Sequence, residues 1–86
     1  PMDDDLVFSS IRKTNRVLVA HEDSLTMGFG AEVAARIAEH AFADLDAPVM
    51  RVGAKDSFIP AAPNLEAAVL PSLDDLRSAV EKLLAY

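Results

Sequence analysis

Lys13 to Pro48 reads KTNRVLVAHEDSLTMGFGAEVAARIAEHAFADLDAP. An apolar run, Val17-Leu18-Val19-Ala20, stops at His21-Glu22-Asp23, and a polar loop follows. Gly28-Phe29-Gly30 then opens a long amphipathic helix, and a second apolar run from Pro48 to Val52 comes straight after it. This order predicts a β-α-β crossover with parallel strands over residues 16–21 and 48–52. In such units the carboxyl ends of the strands are where ligand and interdomain contacts concentrate. The first run does not alternate, which predicts a strand covered on both faces.

Working outward, Asp3-Asp4-Asp5 precedes Leu6, Val7, Phe8 and Ile11, and Arg12-Lys13 close the segment. Acids at the start and bases at the end suit a helix dipole, and Val7 and Ile11 share a face that should turn inward. Asn15 is the expected helix-end residue. The central helix, expected from Gly30 to Asp44, carries Ala34, Ile37, Ala38, Ala41 and Leu45 on one stripe. Glu32, Arg36, His40 and Asp44 run along another. Gly53 to Pro63 reads as a loop, with Asn64 capping a short turn through Ala67. Ser72 is the expected N-cap of a last helix, Leu73 to Leu84, with Leu73, Leu76, Val80, Leu83 and Leu84 as its apolar stripe.

Eighty-six residues allow one domain, and 51% hydrophobic content supports a packed core. The chain has no cysteine, so disulfides and thiolate metal sites are out, which fits a reducing cytoplasm. Its net charge of −6 argues against nucleic acid and anionic membranes as partners. No apolar run nears the roughly 20 residues of a membrane span, and the acidic start Pro1-Met2-Asp3 is not what is expected of a signal peptide. A first residue other than Met is expected to reflect processing or truncation. Two parallel strands do not make an independently stable sheet, so the domain is expected to be incomplete or self-associating.

Three chemistries compete for the strand end. His21, Glu22 and Asp23 are adjacent, and consecutive strand side chains point to opposite faces, so they fall short of a metal shell. Hydrogen bonding by His21 or Glu22 to loop backbone, or to a neighbouring domain, is the expected role. Gly28-Phe29-Gly30 fails the dinucleotide fingerprint, because Val33 stands where the third glycine belongs and six residues separate strand from Gly28. The glycines are expected to supply backbone freedom and close packing, with Phe29 as a hydrophobic anchor. Ser24, Thr26, His21 and His40 do not assemble a nucleophilic set. Arg51, inside the second strand, is expected to pair with Glu22 or Asp56.

Taken together, Lys13–Glu22, Gly28–Glu32, Ala47–Val52 and Asp56–Leu70 resemble the C-terminal domain of the transketolase-like superfamily. Within it they look most like the β-type part of thiamine diphosphate-dependent E1 components of 2-oxoacid dehydrogenase complexes, of branched-chain (2-oxoisovalerate) or fused α/β type. The resemblance implies that residues 1–86 form a partial three-layer α/β/α domain with parallel strands, lacking a leading strand-helix-strand unit. The same resemblance implies that thiamine diphosphate and Mg²⁺ belong to the full-length parent and places no catalytic, cofactor-binding or metal residue in this segment. The implied partners are the rest of the E1 component and the subunit-binding domain of the E2 acyltransferase, in a homo-oligomeric assembly. Contact candidates are His21, Glu22, Gly28, Phe29, Gly30, Glu32 and Tyr86, the last as a handle for a basic residue. Rival readings are a self-associating interaction module, or the same domain from pyruvate dehydrogenase E1, transketolase or deoxyxylulose-phosphate synthase.

Overall fold

The computed structural model describes residues 2–56 and 68–86. Among them run helix α1 (Asp4–Thr14), strand β1 (Leu18–Ser24), helix α2 (Phe29–His40), a 3₁₀ turn (Phe42–Asp44), strand β2 (Met50–Ala54) and helix α3 (Leu73–Leu84). The strands are parallel neighbours, with Leu18 opposite Met50 and Ala20 opposite Val52. Helices α1 and α2 share one face with Val17, Val19 and Val49, around the buried Ile11, Ile37 and Ala41. On the other side Met50 and Val52 border a cleft with Ser78 and Ala79 of α3. The expected incomplete three-layer α/β unit is what the described residues form.

Helices α1 and α3 are capped by the residues the sequence marks for it. Asp3 accepts the Leu6 N–H at the start of α1, and Asn15 closes that helix in the left-handed conformation, φ 62°. Asn15 then becomes a joint: its amide nitrogen donates to Asp44 O at 2.8 Å and its carbonyl accepts from Asp46 N at 2.8 Å. This clamp holds the far end of α2 against the approach to β1. Ser72 caps α3 in a reciprocal capping box with Asp75.

Several expectations shift. Both strands lie two or three residues further along than the apolar runs suggest. Helix α2 stops at His40, because Ala41 (φ −127°) leaves the helical region and the chain tightens into the 3₁₀ turn. Its alanines do not all face the sheet: Ala38 is exposed, and Ala31, Ala34 and Ala35 line an open apolar groove with Leu45 and Val49. On α3, Ala79 and Leu83 take the inward face, while Leu73 and Leu84 point outward. A sheet of two strands is narrower than the apolar stripes of the helices laid on it. The loop from Ser57 to Pro63 and the Asn64 turn lie outside the described residues.

Candidate functional site

The register of the sheet breaks where the polar signature begins. Ala20 pairs with Val52 and Ser24 with Ala54, so four steps along β1 match two along β2. The extra length sits in His21-Glu22-Asp23 as a bulge, a device that re-aims side chains at strand ends. His21 and Asp23, two apart, both turn toward the start of α2, and Glu22 remains exposed.

Helix α2 has no cap from its own N-cap residue, Gly28. The caps come from the strand instead. Asp23 Oδ2 accepts the Phe29 N–H at 3.1 Å, and His21 Nε2 accepts the Gly30 N–H at 2.7 Å. Two of the unpaired donors that every helix start leaves are thereby satisfied. Nε2 is therefore the bare nitrogen and the ring hydrogen sits on Nδ1, which is buried and has no hydrogen-bond partner among the described residues. His21 does bond backbone, but the N–H it accepts belongs to the first turn of α2 and not to the loop.

The glycines make this possible by being small, not by being flexible. A Cβ on Gly30 would overlap His21 Nε2, and one on Gly28 would overlap the Ser24 carbonyl. One on Gly53 would come within 2.9 Å of both the Asp23 carbonyl and His21 Cε1. All three glycines of the chain thus abut the His21–Ser24 segment. None has a positive φ; in this loop the left-handed position falls on Met27, φ 58°. For a residue with a side chain that conformation costs about 1 kcal/mol or more. Nothing in the sequence marked Met27, because its neighbour Gly28 is the residue that such a turn ordinarily favours.

The loop is tied at other points too. Asp56 accepts from the Thr26 N–H at 3.1 Å and from the Thr26 hydroxyl, while Arg51 Nη1 donates to Leu25 O at 2.6 Å. This corrects the expected Arg51 pairing: the side chain is exposed and bonds a carbonyl, and Asp56 is engaged by Thr26. Asp23 is held below the usual carboxylate range chiefly by the Phe29 N–H and then by the Ser24 N–H. Asp56 is lowered by the Thr26 hydroxyl first, then the Thr26 N–H, with Arg51 adding to it.

The remaining candidates fall on the surface. Phe29 is 59% exposed, so its side chain is not an anchor in the core of this chain. Glu32 forms an ion pair with Arg36 at 2.9 Å. The main-chain oxygen of Tyr86 accepts from Arg16 Nη2 at 2.6 Å, so the basic residue it meets lies in this same chain. His40 stacks obliquely on Phe8, with ring centroids 5.7 Å apart. Chemically the strand end is a brace: its imidazole and its two buttressing carboxylates are committed to backbone and hydroxyl donors.

A parallel β-α-β unit with helices on both faces and a braced loop at the strand ends defines a partial α/β domain. More narrowly, the transketolase C-terminal domain family matches residues 1–76, and the chain belongs to that family. It is 41% identical over 86 residues to the pyruvate dehydrogenase E1 component subunit beta of Rickettsia felis. It is 40% identical over 86 residues to the mitochondrial 2-oxoisovalerate dehydrogenase subunit beta 2 of Arabidopsis thaliana. With the 3-methyl-2-oxobutanoate dehydrogenase subunit beta of Mycobacterium tuberculosis it shares 43% over 84 residues. These alignments cover 100%, 100% and 98% of the chain but only 26%, 24% and 24% of the relatives. The chain therefore spans about a quarter of the length of these curated relatives. Pyruvate-type and branched-chain-type relatives stand equally near, so identity does not separate the two.

Proposed function

We propose that residues 1–86 are part of the C-terminal domain of an E1 beta-type subunit of a 2-oxoacid dehydrogenase complex, acting in assembly and domain support. The observation that carries this reading is the commitment of the strand-end groups. His21, Asp23 and Asp56 are all spent on holding a loop and a helix start, which suits a scaffold. The relatives named above are by name beta subunits of 2-oxoacid dehydrogenases, the Rickettsia one of an E1 component, and that is the second support. The parent would decarboxylate a 2-oxo acid and pass the acyl group to an E2 lipoyl group. Thiamine diphosphate and Mg²⁺ would supply the carbanion chemistry in other domains. The acceptors at the strand end, His21 Nε2 and the Asp23 and Asp56 carboxylates, are already taken by backbone N–H and hydroxyl donors, which supports placing that cofactor in other domains.

Among the contact candidates, Glu22, Phe29, Glu32 and Tyr86 are exposed and are the ones proposed to meet the rest of E1 or the E2 subunit-binding domain. His21, Gly28 and Gly30 set the helix start that carries Phe29 and Glu32. A branched-chain substrate is the finer proposal, resting on the spelling of the motifs. The compartment follows the complex: a cytoplasmic one is proposed, and the Arabidopsis relative is mitochondrial by name.

Co-expression of the polypeptide carrying this chain with an alpha-type E1 subunit tests the reading. A complex that releases CO₂ from 3-methyl-2-oxobutanoate faster than from pyruvate is expected, with no release by the 86-residue chain alone. Failure to associate, or decarboxylation by the isolated chain, would overturn it.

A further inference from the structure

We propose that the Leu25–Phe29 loop is a braced apolar knob that docks on a different protein surface, one carrying an apolar pocket edged by Lys or Arg. The proposal rests on the assembly reading and names the chemistry of the surface that this site meets. Met27 is 95% exposed and Phe29 59%, so two large apolar side chains stand out at the strand end. Methionine and phenylalanine are residue types enriched at protein interfaces. Met27 also holds its side chain outward from a left-handed backbone, φ 58°. A conformation of that kind persists only where the surroundings over-determine it.

The surroundings do so here. Leu25 N donates to Ala54 O and Leu25 O accepts from Arg51; Thr26 is fastened twice by Asp56; Phe29 N is fastened by Asp23. A loop tied at both ends loses little conformational freedom when it binds, which favours its use as a preorganised contact.

Charge selects the partner. Phe29 lines a groove of about 590 Å³ with Met2, Asp4 and Arg36. Arg36 is shared between Glu32 at 2.9 Å and Asp4 at 3.5 Å, so two carboxylates face one guanidinium. The excess negative charge beside an apolar surface fits a basic rim on the partner and repels an anionic membrane.

Met27→Gly and Phe29→Ser, each in the polypeptide that carries this chain, test the proposal against an alpha-type E1 subunit. Sedimentation velocity would measure association, and circular dichroism the melting temperature. Glycine relieves the positive φ, so Met27→Gly should melt no lower than wild type while its association weakens about tenfold or more. Association of the wild type should also fall as salt rises. Both variants binding as tightly as wild type overturns the knob and leaves the assembly reading standing. A wild-type chain that forms no complex overturns the assembly reading itself. Loop substitutions that dissolve self-association of this chain overturn the assignment to a different protein.

Discussion

His21 of β1 accepts the backbone N–H of Gly30 in α2 at 2.7 Å, and the strand thereby caps the helix that follows it. The contact needs both residues as they are: the imidazole for its bare Nε2, and the glycine for the space that Nε2 fills. A bulge in β1 brings them together, so strand register and helix start are set by one interaction.

Gly30→Ala should destabilise the chain by about 1–3 kcal/mol, the usual cost of forcing an atom into filled space. His21→Ala should cost about 1–3 kcal/mol by leaving the Gly30 donor unpaired. Because both changes break one contact, the double variant should lose less than the two single losses combined. Urea unfolding of the four proteins gives the coupling directly, and strict additivity would show that the two residues act separately.

Asp23 gives the site an acid sensitivity. Its folded-state pKa lies below the ordinary 3.8, chiefly through the Phe29 N–H. A depressed carboxylate contributes stability that is complete above the unfolded-state value and is lost as pH falls through the folded-state value. Melting temperature should thus drop from about pH 5 downward, and Asp23→Asn should flatten part of that slope while lowering stability near neutrality. A titration of melting temperature in both proteins checks this, and parallel slopes would mean that Asp23 does not contribute.

Much of this was legible in the residues. Asp3, Asn15 and Ser72 mark helix ends because capping depends on chemistry within three or four residues. The β-α-β order followed from two apolar runs around an amphipathic helix. Two things were not legible. The bulge at His21-Glu22-Asp23 depends on how β1 registers with β2, thirty residues away, and no local pattern encodes that. Which alanines and leucines face inward depends on how wide the sheet is, so Leu73 read as core and stands exposed. Arg51 likewise chose a carbonyl, Leu25 O, whose position only the folded loop defines.

Ser72→Ala should cost about 1 kcal/mol, as lost N-caps ordinarily do. Ser72 Oγ accepts the Asp75 N–H at 3.1 Å, and Asp75 Oδ2 returns by accepting the Ser72 N–H at 2.8 Å. Ser72→Asp keeps an acceptor at the cap and should recover most of the loss. Chemical denaturation separates these outcomes, and an alanine variant as stable as wild type would mean that α3 is held by packing alone.

Ile37 and Phe42 provide the sharpest contrast between what holds the chain together and what it leaves open. Ile37 is 0% exposed at the centre of the α1–α2–β1 core, whereas Phe42 is 75% exposed beside the alanine-lined groove of α2. Truncating a buried isoleucine removes its transfer energy and leaves a cavity, so Ile37→Ala should cost about 2–5 kcal/mol. For a small domain of marginal stability that loss approaches complete unfolding at ambient temperature. Phe42→Ser removes almost no buried surface and should shift stability by less than about 0.5 kcal/mol. Urea midpoints measured on both variants check the pair. Equal losses would mean that the groove is covered within the chain itself and that Phe42 belongs to its core.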